Sequence, residues 1–567
     1  MKRFLAVPVG LSLAVLIAAC GDDSDDDLSL PQLRPAVGAT LVGGCAALSG
    51  FTYANTAIAS ATEVAAGTLK VAGQDIGAHC LITGKMHERV SAVDGQTYAI
   101  GFQMRMPIDW NGRYFYQGNG GTDGSVSNAT GSAGSGGPLS NALHKGFAVI
   151  SSDAGHSSAQ NPLFGMDPQA RVDYGYGAVA KLTPMAKALI AAAYGKGPDR
   201  SYIGGSSNGG RHAMVAAARF ADAYDGVLAN SPGFNLPLAA AAQLFSAQQF
   251  RRVATDELNL ETAFTAPERT LVAQAILSRC DALDGVADGL VQDIEACRTA
   301  FDLNTHVPTC AGARDNTCLT ADQKDVIGKM YRGPVDATGK ALYATQPYDP
   351  GLWTAGWASW KFSASVGNSR DPVAVGIIFQ VPPDPTVAAN SRNFAFNYNF
   401  DTDFPKLFAT DATYTESAMS FMTPPNPTKL NTLRDRGGKM IVVQGASDGV
   451  FSIDDTKNWY DGLMRENGGR ANAFTRFFRV PGMNHSSGGP ATEQYDALAA
   501  LVDWVENGKA PDRIVATARG AGNPGGVNAA VPADWAPDRT RPLCPYPQVA
   551  RYNGSGDSER AENFSCR

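Results

Sequence analysis

The sequence predicts an α/β chain, a doubly wound sheet core interrupted by a long lid. Three observations predict it. Short apolar runs with strand character recur on both sides of a central stretch. At Gly205-Ser206-Ser207-Asn208-Gly209-Gly210-Arg211 a strand, a tight turn and a helix-forming segment meet. Regular patterning then lapses from about Pro232 to about Asn431 before strand character returns.

Taken in order, Tyr98 to Met106 alternates in part, as an early antiparallel strand does. Arg113 to Gln117 is a second strand and ends in Gly118-Asn119-Gly120-Gly121, and Phe147 to Ile150 is a third, running into Ser151-Ser152-Asp153. Thr183 as N-cap and Pro184 in the first turn open a helix that Gly195 closes. Ser201 to Gly204 leads into the glycine-flanked turn, and Arg211 to Ala218 is helix-forming and free of Gly and Pro. Gly226 to Ala229 is the next core strand. In the irregular span lie Trp353, Trp357 and Trp360, turns such as Val381-Pro382-Pro383-Asp384-Pro385, and four cysteines. Strands return at Met440 to Gln444 and Phe474 to Val480, and Leu498, Leu501, Val502 and Val505 share one helical face.

The amino terminus reads as a targeting segment. Met1-Lys2-Arg3 and the apolar run from Phe4 to Ala19 make a secretory signal, too short and wrongly flanked to span a membrane. Ile17-Ala18-Ala19-Cys20 has the form of a bacterial lipobox, with lipid on the Cys20 sulfur; an ordinary signal peptide cut nearby is the plainer reading. Gly21 to Asp27 is an acidic tether that cannot pack. Expected boundaries are therefore a signal peptide at 1–19, a lipid-anchored tether at 20–32, core at 33–231, lid at 232–431 and core again at 432–567. The product is expected to be exported, as an outer-membrane or surface lipoprotein or otherwise periplasmic or secreted. A net charge of -7 with no basic block argues against nucleic acid. Setting Cys20 aside leaves Cys45, Cys80, Cys280, Cys297, Cys310, Cys318, Cys544 and Cys566, and an even number in an exported chain predicts disulfides, although spacing leaves their pairing open.

Gly205, Ser207 and Gly209 fit G-x-S-x-G, in which small neighbours let a strained turn lift one serine hydroxyl above the sheet; Ser206 fails that frame. A serine needs a base to take its proton, and the base needs an acid to hold its tautomer. The order Ser, Asp, His is met by Asp448, in the loop after the strand ending at Gln444, and by His485, just beyond the strand ending at Val480. Asp454 and Asp455 are the fallback acids. Oxyanion donors are expected from the N–H of Asn208 and from Gly120 or Gly121. Asp281, Asp284 and Asp288, among turn-permitting glycines, suit a hard cation such as calcium or else are plain Asp-Gly turns. The lid tryptophans and Phe394 to Phe400 are either an aromatic slot or core, and Arg370 and Arg392 either pair a substrate carboxylate or sit on the surface.

Gly118 to Gly121, Tyr202 to Arg211, Cys280 to Gly289, Gly445 to Asp448 and Val480 to His485, with Gly488-Gly489 behind, resemble the tannase and feruloyl esterase family, which includes MHETase-like esterases of terephthalate monoesters. The resemblance spans Cys45 to Cys566. It implies an α/β-hydrolase fold with the lid inserted between nucleophile and acid, and an exported serine esterase acting on aromatic esters of feruloyl or galloyl type through an acyl-enzyme, with Ser207, Asp448 and His485 as triad. A terephthalate monoester is the alternative substrate, and a catalytically silent, calcium-stabilised surface binding protein is the alternative of another class. The resemblance also implies a structural lid calcium on Asp281, Asp284 and Asp288 with the carbonyls of Val286 and Leu290. It implies bridges Cys45–Cys80, Cys280–Cys297, Cys310–Cys318 and Cys544–Cys566. Family members usually carry a further bridge between the residue before the nucleophile and the residue after the histidine, where this chain has Ser206 and Ser486.

Overall fold

The computed structural model describes residues 1, 30–134, 137, 139 and 141–567. The signal segment and Cys20 lie outside the described residues. The centre is a nine-stranded sheet: β1 (Thr56–Val64), β2 (His79–Val90), β3 (Thr97–Pro107), β4 (Arg113–Gly118), β5 (Ala148–Ser152), β6 (Arg200–Ser206), β7 (Gly226–Asn230), β8 (Lys439–Gly445) and β9 (Thr475–Val480). They lie in the order β9-β8-β7-β6-β4-β5-β3-β2-β1. From β9 to β5 all neighbours are parallel, whereas β1, β2 and β3 join antiparallel. The burial follows this division. The parallel strands β5, β7 and β8 are buried at every residue, as strands covered on both faces must be, while β3 opens on exposed Thr97 and then alternates buried and half-buried residues.

Helices α1 (Ala178–Tyr194), α2 (Asn208–Arg219), α6 (Ile453–Glu466) and α7 (Ala497–Asn507) flank the sheet, and α3 (Leu236–Arg251), α4 (Ala266–Cys280) and α5 (Ala321–Arg332) stand apart from it. Period-two patterning sends Tyr114, Ile203, Val227 and Met440 to the core shared with α1, α2 and α6. Their strand neighbours Phe115, Tyr202, Leu228 and Ile441 go to the core shared with Leu498, Leu501 and Val505 of α7. The chain between β7 and β8 carries α3, α4 and α5 and forms a separate apolar core, the lid. This is the α/β-hydrolase arrangement, with the lid inserted between Ser207 and Asp448.

One helix start differs. Thr183 and Pro184 lie inside α1 rather than at its beginning. Residues from Pro168 onward are already helical, through a π-helical turn at Asp173–Gly177, so no free first turn exists for Thr183 to cap. Its hydroxyl instead donates to the Val179 carbonyl at 2.6 Å. Gly195 does close the helix, with φ 73°.

Four disulfides join the described residues: Cys45–Cys80, Cys280–Cys297, Cys310–Cys318 and Cys544–Cys566. Among the described residues no helix is long and apolar enough to cross a membrane.

Candidate active site

The loops after β4, β6, β8 and β9 all open at the carboxyl edge of the parallel strands, where open α/β sheets place their sites. Ser207 stands between β6 and α2 with φ 63° and ψ −124°, a conformation that costs a non-glycine residue on the order of 1–3 kcal/mol. Two glycines make that turn possible. A β-carbon on Gly205 would lie 2.4 Å from the Gly118 carbonyl oxygen, and one on Gly209 would lie 2.3 Å from the same atom. Strand β4 and the start of α2 therefore pack backbone to backbone, and the serine is the side chain left projecting.

His485 Nε2 lies 2.8 Å from Ser207 Oγ, and its Nδ1 lies 3.1 and 3.0 Å from the two oxygens of Asp448. Because a carboxylate only accepts, Nδ1 carries the hydrogen and Nε2 is the acceptor facing the serine. Asp448 is held in turn by the N–H groups of Val450 and Phe451, at 2.8 and 3.0 Å. The imidazole is walled by Phe451 and Trp360, both edge to face, with ring centroids 5.1 and 5.2 Å away. Asp454 is paired with Arg298 and Thr345, and Asp455 accepts from Asn235 at 2.9 Å, so neither fallback acid meets the histidine.

The glycine loop after β4 crosses over the serine. A β-carbon on Gly120 would lie 3.7 Å from Ser207 Cβ, and one on Gly121, whose φ is 66°, would lie 3.0 Å from Arg370 Nη1. Asn208 opens α2 directly after Ser207. Beside the nucleophile turn, Ser206 Oγ donates to Ser486 Oγ at 2.6 Å, Asn230 Nδ2 donates to Ser206 Oγ at 3.1 Å, and the Ser486 N–H donates to Ser231 Oγ at 3.2 Å.

Above Ser207 lies a largely apolar cleft lined by Tyr174, Leu236, Trp360, Phe379 and Phe451, with the Arg370 guanidinium and the Asp371 carboxyl as its charged groups. Arg370 stacks over Trp360 at 5.1 Å. Of the three lid tryptophans only Trp360 reaches this lining. Trp357 is buried against Phe362, and Trp353 lines a separate surface groove beside α4. Phe394, Tyr398 and Phe400 pack on one another in the lid core, with centroids 5.1–5.6 Å apart. Arg392 donates to the carbonyls of Glu257 and Leu258 at the surface, at 2.7 and 3.1 Å. The sequence reading passes over Asp371 and Lys361, whose types alone say nothing in a lid of this size. Burial pushes the Asp371 carboxyl up to about 7 despite neighbouring Arg370 and Lys361, and pushes the Lys361 ammonium down to about 8.

The aspartate loop lies away from this cleft, clasped by the carboxyl-terminal segment. Asp281 accepts from the N–H groups of Asp288 and Gly289, at 2.9 and 3.0 Å; Asp288 pairs with Arg541; Arg539 donates to the Asp288 carbonyl at 2.6 Å. Asp284 Oδ2 is buried and unpartnered, and burial with the charges of Asp288 and Asp281 pushes that carboxyl up to about 7. The unpartnered oxygen suits a cation, while Arg541 already supplies positive charge at Asp288. Among the described residues no group of three or more His, Cys, Asp or Glu side chains is gathered tightly enough to hold a metal ion.

Residues 80–567 match the family model described as tannase and feruloyl esterase. The chain is 40% identical over 523 residues to the mono(2-hydroxyethyl) terephthalate hydrolase of Piscinibacter sakaiensis, covering 86% of this chain and 84% of that one. It is 28% identical over 483 residues to a probable feruloyl esterase B of Emericella nidulans, covering 81% and 82%. In fold it is similar to the crystal structure of feruloyl esterase B from Aspergillus oryzae, with a TM-score of 0.72 at 22% identity over 92% of this chain and 98% of that one. The serine-bearing turn, the inserted lid and these likenesses together place the chain in the tannase and feruloyl esterase family, as an aromatic ester hydrolase.

Proposed function

We propose that this esterase works through Ser207, and that its substrates are aromatic monoesters carrying a free carboxylate, of the terephthalate monoester kind. The observation that carries the mechanism is the hydrogen-bonded series Ser207, His485, Asp448 in a largely apolar cleft. As Ser207 Oγ attacks the ester carbonyl carbon, His485 Nε2 takes its proton, and Asp448 steadies the imidazolium that forms. The carbonyl oxygen becomes an oxyanion facing the N–H of Asn208 and that of Gly120 or Gly121. The tetrahedral centre collapses, the ester C–O bond breaks, and His485 returns the proton to the departing alcohol. Water then repeats the sequence on the acyl-serine and releases the acid.

The substrate reading rests on Arg370. In a largely apolar cleft, where burial holds neighbouring Asp371 toward its neutral form, a guanidinium on a tryptophan face is suited to a carboxylate at the far end of an aromatic acyl group. The likeness to a mono(2-hydroxyethyl) terephthalate hydrolase supports the same reading. Feruloyl and galloyl esters, which lack that carboxylate, are the second reading, supported by the more distant feruloyl esterases. Two further parts of the proposal lie outside the cleft. Calcium on Asp281, Asp284 and Asp288 with the carbonyls of Val286 and Leu290, in a structural role, would draw these carboxylates closer than they stand here; the unpartnered Asp284 oxygen supports it. Export through the apolar leader, with lipid on Cys20, is supported by four disulfides, which suit an oxidising compartment. The Ser206–Ser486 hydrogen bond would take the place of the bridge usual beside the triad.

A fluorophosphonate probe tests the mechanism. Wild type should label and Ser207→Ala should not; an unlabelled wild type would leave a silent binding protein as the better reading. Hydrolysis of mono(hydroxyethyl) terephthalate, methyl ferulate and methyl gallate side by side decides between the substrates.

A further inference from the structure

Beneath the serine turn lies a buried ring of polar side chains outside the triad. Arg211, on the first turn of α2, is completely buried. Its Nε donates to Asn208 Oδ1 at 2.6 Å, and Asn208 Nδ2 donates to Asp123 Oδ2 at 2.8 Å. Its Nη2 lies 3.2 Å from His212 Nδ1, and His212 Nε2 lies 2.9 Å from the same oxygen of Asp123. Because a guanidinium only donates and a carboxylate only accepts, both arms have one direction: Arg211 donates to Asn208 and to His212, and each donates onward to Asp123. That fixes the Asn208 amide orientation and puts the His212 hydrogen on Nε2.

Asp123 belongs to the glycine loop, and Asn208 carries the other oxyanion donor. The loop around Asp123 is held by its carbonyl oxygens. Asn119 accepts from Asn208 Nδ2 at 3.3 Å, Gly120 from the Asp123 N–H at 3.3 Å, Gly121 from Tyr174 at 3.2 Å, Thr122 from His156 at 2.8 Å and Asp123 from Asn161 at 3.1 Å. Asp123 itself adopts φ 53°, a strained backbone that its surroundings must enforce. One carboxylate thus joins the two segments that would share the oxyanion.

We propose that Asp123 is a positioning residue which, through Asn208 and His212, fixes the spacing between the N–H of Asn208 and those of the glycine loop. This inference rests on the serine esterase reading. Removing this side chain takes away the one oxygen on which both arms end and leaves the Asn119 carbonyl as the remaining bond from Asn208 to the glycine loop. The loss should fall on the transition state, where the oxyanion forms, more than on substrate binding.

The test uses Asp123→Ala and His212→Phe, each corrected for active enzyme by its acylation burst. Since loss of one oxyanion donor costs about 10²–10³ in kcat, misplacement in Asp123→Ala should cost roughly ten- to a hundredfold, with KM within about threefold. His212→Phe, which keeps the Asn208 arm, should lose less. Affinity for phenylboronic acid, which forms a tetrahedral adduct on the serine, should fall with kcat, while affinity for benzoate holds. A purely structural role would lower Tm and leave both ratios alone, which overturns the proposal. Should Asp123→Ala fail to fold, His212→Phe decides by the same ratios. A wild type that neither labels with fluorophosphonate nor binds the boronate overturns the serine reading and this inference together; labelled wild type with unchanged variants overturns the role of Asp123 alone.

Discussion

The Ser206 hydroxyl donates to the Ser486 hydroxyl across 2.6 Å, and these two residues directly flank Ser207 and His485. A contact 280 residues apart in sequence therefore ties the serine loop to the histidine loop at the point where their alignment matters. A neutral hydrogen bond contributes about 1 kcal/mol, whereas a disulfide typically contributes about 2–4 kcal/mol. Ser206→Cys combined with Ser486→Cys should therefore form a bond and raise Tm by several degrees, read by calorimetry with and without reductant. A bond shown to form with Tm unchanged or lower would mean that the cross-link strains the loops.

Arg370 should decide which esters are preferred. Hydrogen bonds to charged groups contribute about 1.5–3 kcal/mol, so Arg370→Gln should lower kcat/KM for mono(hydroxyethyl) terephthalate by about ten- to a hundredfold. With the doubly esterified analogue, which has no carboxylate, the same substitution should change kcat/KM little. Equal losses on both substrates would assign Arg370 to packing on Trp360 instead. Arg392→Gln, bonded to backbone carbonyls at the surface, should leave both rates unchanged.

Calcium predicts a different signature. If Asp284 and its neighbours hold the ion, a chelator should lower Tm while leaving the initial rate of the still-folded enzyme intact, and added calcium should restore it. Asp284→Asn should abolish the response. An unaltered Tm on chelation would mean that Arg541 alone balances the charge of this loop.

Much of this arrangement is legible in the sequence because it rests on local chemistry. The Gly205-Ser207-Gly209 turn declares itself, since only glycine tolerates the approach of the Gly118 backbone. Asp448 and His485 follow from their places after strands. What was not legible is pairing at a distance. Nothing in the sequence distinguishes Arg370 from Arg392, yet the fold sends one to the cleft and the other to surface carbonyls. The lid tryptophans and Phe394 to Phe400 read as slot or core, and of these only Trp360 reaches the cleft. Thr183 and Pro184 mimic a helix start because cap chemistry is local, while the helical residues before them are fixed by packing.

Asp371 offers a prediction in which the sign of the pH dependence discriminates. Burial raises its carboxyl from 3.8 to about 7, so the fold disfavours the charged form even with Arg370 and Lys361 nearby. The unfolded chain ionises this group near 3.8; folding stability contributed by its neutral form is therefore present below that value and is lost as pH rises toward 7. Asp371→Asn removes the titration. Near pH ~4 the variant and wild type should be about equally stable; the variant should gain progressively up to about pH 7 and hold a constant advantage above it. Denaturant midpoints across that range check the slope. Lys361, pushed down to about 8 by the same burial, argues that desolvation outweighs attraction between these groups. Were attraction the stronger, Asp371→Asn would instead lose stability as pH rises, and the opposite slope would identify Asp371 as the ionised partner of Arg370 and Lys361.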